Sequence, residues 1–148
     1  MEIKSRSFIK ISVSIIALLW FYAAVSKLMN FEHFRGAIQK QPLLPIIKPV
    51  IIYGLLPFEV FIGVLLIAEK WVMKGLTLSA ITFLLFFIYT ALILSKVFGG
   101  VPCACGGLIE KMGWTFHLWF NLGFFTLTLI TIIIHKKERS HVTSKTGT

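Results

Sequence analysis

Charge is scarce in this chain. Only 14% of its 148 residues are Asp, Glu, Lys or Arg, and 57% are apolar. A soluble domain carries about 25% charged and about 45–50% apolar residues. The shortage argues against a soluble globular fold and against a disordered chain. Acidic residues are scarcest, six against fifteen basic ones. The resulting net charge of +9 gives no reason to expect a nucleic-acid partner, because membrane topology and contact with anionic lipid employ basic residues by themselves. Internal repeats, low-complexity segments, a haem-attachment motif and a flavin fingerprint are also missing, and cysteine occurs only twice.

What is present is long and apolar. Mean hydropathy is +0.86. Residues 11–26, 75–95 and 112–135 contain no Asp, Glu, Lys or Arg, and residues 49–68 contain only Glu59. A bilayer span needs about 20 mostly apolar residues, with a range of about 17–25. The first stretch reaches that length if Lys10 and Lys27 extend their stems to the two surfaces. The pattern predicts an all-α, polytopic four-helix membrane bundle forming one domain, with spans near 8–29, 46–68, 74–97 and 112–135. A cleavable signal peptide is the alternative for the first span, with a basic start, an apolar centre and small residues at Ala23, Ala24 and Ser26. The later spans do not depend on that choice.

With four spans, nine basic residues fall on the side of the termini and six on the other. Basic loops stay in the cytoplasm, so both termini are expected there, in an inner membrane. Residues 31–41 follow the first span, with Phe31, Phe34 and Ile38 at helical spacing. They read either as a short amphipathic helix in the interface or as a loop capped by Asn30. Pro57 lies inside span two, cannot bond back to the carbonyl of Tyr53, and predicts a kink. Span three, ionisable only at Tyr89, reads as packing. The polar tail 140–148 reads as disordered.

Both cysteines sit in the loop 98–111, within Gly99-Gly100-Val101-Pro102-Cys103-Ala104-Cys105-Gly106-Gly107. Sidedness puts this loop in the periplasm, where disulfides persist. A disulfide needs Cα atoms about 4.4–6.8 Å apart, which residues two apart meet only in a bent segment. The small ring is strained, and strained, exposed disulfides are the labile or catalytic ones. Closing a one-residue loop also adds little stability through chain entropy. Thiol–disulfide exchange therefore outweighs a structural role. A soft-metal relay for Cu(I), Zn or Hg(II) is a second chemistry open to thiolates, though two ligands do not make a structural zinc site and no resident metal is expected. A scaffold role with incidental cysteines is the third.

Polar residues occur at membrane depth. Glu59 is near the midplane of span two, where an acid costs about 2.5–3.5 kcal/mol on insertion scales. It is expected to face the bundle interior and to have a partner. His117 and Asn121, four apart, share a helical face. At about 1.5 Å per residue, His117 lies about 7.5 Å, Asn121 about 13.5 Å and Glu59 about 15 Å below the outer boundary. Asn121 is thus placed to hydrogen-bond Glu59. The three read either as a polar track below the cysteine loop, able to carry protons, or as interhelical glue. Lys27 is expected to snorkel to the surface, the alternative being that it lies beside the cysteine loop and lowers a thiol pKa.

At these residues the chain resembles the MauE branch of the DoxX-like membrane proteins. The matching features are Ser26-Lys27 ending span one, Leu56-Pro57-Phe58-Glu59 in span two, Pro102-Cys103-Ala104-Cys105-Gly106-Gly107, and Trp114 and Asn121 opening span four. The resemblance covers about residues 10–135, and Ala104 and Gly107 depart from the family's usual Cys-Gly-Cys-Phe-Gly loop. It implies a four-helix membrane bundle that moves reducing or oxidising equivalents between a periplasmic thioredoxin-fold protein and the membrane, with Cys103 and Cys105 as the exchanging pair. The family is associated with maturation of methylamine dehydrogenase, a client that nothing in this sequence names. A quinone is a candidate electron acceptor, but quinone sites have no dependable short signature.

Overall fold

The computed structural model describes residues 2–95 and 113–146. Five α-helices occur among them: α1 (Glu2–Met29), α2 (Phe31–Gln39), α3 (Ile47–Ile67), α4 (Val72–Leu94) and α5 (Gly113–Thr146). No strand occurs among the described residues. The four expected apolar segments lie in α1, α3, α4 and α5, each long and apolar enough to cross a membrane. The shortest, α3, has 21 residues, or about 31 Å of helix, against a hydrocarbon core of about 30 Å.

The four long helices form a closed ring in the order α1, α3, α4, α5, with α4 against α5 the largest interface. The chain runs up and down, so sequence neighbours are antiparallel. One end, here the terminal end, holds the start of α1, the turn 68–71 and the tail of α5. The other, the loop end, holds α2 and the two helix ends joined by residues 96–112. Leu18, Val25, Val50, Val64, Ile81 and Ile133 are all more than half exposed or close to it around the outside. In water so large an apolar surface is a liability, whereas hydrocarbon accepts it.

A closely packed cluster lies on the terminal side of the midplane. Ile16, Ala17, Trp20, Ile62, Leu66, Leu76 and Phe83 form one buried cluster. Two glycines allow the close approach. A Cβ on Gly63 meets the Phe21 ring end at 2.8 Å, and one on Gly75 meets the Leu66 side chain and backbone nitrogen at 3.0 Å. Small residues at helix contacts have this use in membranes, where lipid is as apolar as leucine and close packing supplies much of the attraction. Thr128 and Thr131, fully buried, return their hydroxyls to the carbonyls of Phe124 and Leu127. Their polarity is thus satisfied within α5.

Of the two readings for residues 31–41, the helix is present. The loop capped by Asn30 is not: Asn30 caps nothing with its side chain and instead donates Nδ2 to the Ser26 carbonyl at 3.3 Å. Phe34, Ala37 and Ile38 are buried against Ile52, with Phe31, Ile51 and Leu55 around them. The apolar face of α2 therefore covers the start of α3. α3 continues through Pro57 as one helix. α5 does not end with its apolar run but continues to Thr146, through much of the tail expected to be irregular. Lys136, Lys137, Glu138 and Arg139 are good helix formers, and the Ser5 hydroxyl donates to Glu138 Oε1 at 2.8 Å.

Candidate functional site

Toward the loop end the packing opens into a cavity of about 310 Å³, to which all five helices contribute. Helix side chains lean toward the N-terminus of their own helix. This rule gathers the polar groups. On α1, which rises toward the loop end, Lys27 leans back into the bundle. On α3 and α5, which descend from that end, Glu59, His117 and Asn121 lean toward it. All four line the cavity.

Lys27 Nζ donates to Glu59 Oε1 at 2.8 Å, with the two side chains 13% and 1% exposed. The expectation that Lys27 snorkels is therefore corrected. Its stem starts near the end of α1 but points inward, and the only acid of span two lies within reach. The same contact corrects the expected Glu59–Asn121 bond. Glu59 Oε1 is taken by Lys27 and Oε2 has no hydrogen-bond partner, so Asn121 shares the cavity without bonding the acid. Lys27 also reaches the Ala23 carbonyl at 3.4 Å and lies 5.9 Å from the centre of the Phe34 ring, a cation–π distance.

His117 and Asn121 are buried, one turn apart on α5. His117 Nε2 makes no hydrogen bond. Two further polar residues join them. Gln41, just past α2, is buried, and its Oε1 accepts from the Tyr89 hydroxyl at 2.6 Å. Tyr89 in turn meets the Trp114 ring edge-on, with centroids 6.3 Å apart. At the cavity floor Trp20 donates Nε1 to Ser79 Oγ at 2.9 Å and stacks on Phe83 at 4.9 Å. The remaining wall is mostly aromatic and aliphatic, including Phe34, Phe86 and Phe120.

The sequence-predicted trio Glu59, His117 and Asn121 thus shares one cavity. Cys103 and Cys105 lie outside the described residues. Sequence reasoning missed Lys27 as the partner of Glu59, and Gln41 and Tyr89 as a bridge between α2 and α4. A signal for the first existed: an acid at the midplane calls for a cation, and Lys27 is the basic residue nearest the end of an adjacent span. No group of three or more His, Cys, Asp or Glu side chains able to hold a metal occurs among the described residues.

A ring of spanning helices with a polar cavity on one side of its midplane defines the class: a multi-pass membrane protein with an internal site. The family described as methylamine utilisation protein MauE matches residues 5–134, and the chain belongs to that family. No curated protein and no solved structure matches it.

Proposed function

We propose that the protein is a thiol–disulfide redox helper of the inner membrane. Through the Cys103-Ala104-Cys105 segment it exchanges equivalents with a periplasmic thioredoxin-fold protein and supports disulfide formation or maturation of an exported protein. One observation carries the reading. The only two cysteines of the chain lie in the stretch between the end of α4 and the start of α5, helix ends that belong to the half of the bundle holding the cavity. Membership in the MauE family is compatible with that role. The excess of basic residues at the terminal end supports cytoplasmic termini and a periplasmic cysteine loop.

The exchange needs no group beyond the sulfurs. A thiolate attacks one sulfur of a disulfide, a mixed disulfide forms and a thiolate leaves. The second thiolate then attacks the mixed bond and closes an intramolecular disulfide. Replacing the cysteine that resolves stops the sequence at the mixed disulfide, whereas replacing the one that attacks prevents it from forming. Cys103→Ser and Cys105→Ser, expressed separately in cells, are therefore expected to yield a reducible adduct with a thioredoxin-fold protein on non-reducing gels, from at least one of the two. Absence of an adduct from both, with the double variant fully active, would establish a scaffold instead. A membrane-impermeant thiol reagent on intact cells checks sidedness, and labelling only after lysis overturns the periplasmic placement.

A further inference from the structure

The cavity wall leaves two of its own atoms unanswered. Glu59 Oε2 and His117 Nε2 are buried without a hydrogen bond, on residues 1% and 7% exposed. A buried polar group without a partner costs about 1–3 kcal/mol, and hydrocarbon offers no bulk water to answer it. The rest of the wall favours a flat ring, with Trp20, Phe34, Phe83, Phe86, Trp114 and Phe120 around the volume. Ordered water needs two to four polar partners per molecule, which so apolar a lining supplies at few points. An acyl chain fills the apolar part and leaves the polar atoms as they are.

The mouth indicates where the occupant comes from. Tyr22 on α1 and Leu85 on α4 line the cavity and are 46% and 59% exposed. Both lie well inside their spans, so the cavity reaches the lipid-facing flank of the bundle. The ligand that fits is lipid-soluble, planar, and carries hydrogen-bonding oxygens at its edge. We infer that this cavity holds the head group of a membrane quinone. Its carbonyl oxygens accept from His117 Nε2–H and from the third N–H of the Lys27 ammonium, beyond those given to Glu59 and Ala23, or from the Asn121 amide, and the quinol form donates a hydroxyl to Glu59 Oε2, so both orphaned atoms find a partner. A volume of about 310 Å³ is at the small end of ligand pockets, about 300–1,000 Å³. That suits a ring whose isoprenoid tail stays in the bilayer.

The inference rests on the proposed function for its electrons. Cys103 and Cys105 as thiols give up two electrons and two protons and join in an S–S bond. The quinone takes the two electrons and two protons, one proton at each ring oxygen, and leaves as quinol. Glu59 and His117 supply the proton-carrying groups inside the cavity. The loop disulfide then takes two electrons from the dithiol of the partner by exchange and returns to the dithiol state.

The full chain, purified in detergent, is titrated with decylubiquinone while tryptophan fluorescence is followed, since Trp20 and Trp114 line the cavity. Saturable quenching is expected for the wild type and, unchanged, for the Cys103→Ser, Cys105→Ser double variant. The quinone dissociation constant is expected to rise at least tenfold in His117→Phe and in Asn121→Leu, variants that keep an apolar membrane helix. No saturable quenching by the folded wild type overturns the site, as does equal quenching in all variants or full competition by stearate. Saturable binding lost in the cavity variants, with no mixed disulfide trapped from either cysteine variant, keeps the quinone site and removes the thiol chemistry. A trapped mixed disulfide without saturable quinone binding does the reverse.

Discussion

The two halves of the bundle solve different problems with the same four helices. On the terminal side of the midplane a cluster including Ile16, Ile62, Leu66 and Leu76 is closely packed, with Gly63 and Gly75 letting neighbours approach, before the bundle widens at its terminal end into a cleft lined by Arg6, Lys10, Glu69, His135 and Glu138. Toward the loop end the interior holds an ion pair, an imidazole, two amides and a phenol around an unfilled volume. Two of the three buried unpartnered side-chain atoms among the described residues are in that volume. The third, His135 Nδ1, lies at the terminal end, where α5 gives way to Lys136, Lys137 and Glu138. Polar groups at membrane depth are expensive and mark functional paths. The difference separates a packed cluster that holds the fold from the half that carries the candidate site.

The largest effect should come from splitting the buried pair. Lys27→Met leaves the Glu59 carboxylate without its cation. Removing one member of a buried pair costs about 3–5 kcal/mol, so a large fall in the thermal midpoint in detergent is expected. Lys27→Met with Glu59→Leu removes both charges and keeps similar volume. Such replacements are often neutral, or stabilising by about 1–4 kcal/mol, so the midpoint should recover. Transfer of electrons from the loop dithiol to a quinone should not recover, because the cavity has lost its charged groups. Recovery of both would break the comparison, since the pair would then serve only the fold.

A middle effect belongs to the packed half. Gly75→Val puts methyl groups against the Leu66 side chain and backbone nitrogen, already 3.0 Å from the first added carbon. Overpacking of this kind costs about 1–3 kcal/mol. Gly63→Ala should cost less, because what it meets is the far end of the Phe21 ring, which can rotate away. Both variants should lose stability and keep full activity per folded molecule. Lost activity at unchanged stability would show that the two halves are coupled.

Much of this was readable from the sequence, for a physical reason. Bilayer thickness sets a minimum length for each apolar run, so four runs gave four spanning helices. Exclusion of water makes any polar residue at depth stand out, which marked Glu59, His117 and Asn121. Side-chain direction was harder to read. Lys27 is at a span end, where a long stem can go either way, and only the run of α1 beside α3 decides it. The landing of α2 on Ile52 depended on tertiary packing that its amphipathic spacing does not specify. Gln41 and Tyr89 lie 48 residues apart, and nothing local couples them. The continuation of α5 past residue 139 reflects helix propensity, which hydropathy does not register.

The smallest effect sharpens the comparison where the halves meet. Trp20 belongs to the packed cluster and also lines the cavity. Trp20→Phe keeps a ring to stack on Phe83 but removes the donor to Ser79 Oγ, which is fully buried on α4. Hydrogen bonds of this kind average about 0.6 kcal/mol between membrane helices, below the cost expected for Gly75→Val. The seryl hydroxyl limits the loss further, since it can turn to the carbonyl one helical turn before it. Ser79→Ala should cost about the same, and the double variant little more than either alone, because one bond is lost in all three. Unfolding of the four proteins in detergent gives this cycle directly. A coupling energy near zero would mean that the bond contributes nothing, and that stacking on Phe83 alone joins the packed half to the cavity floor.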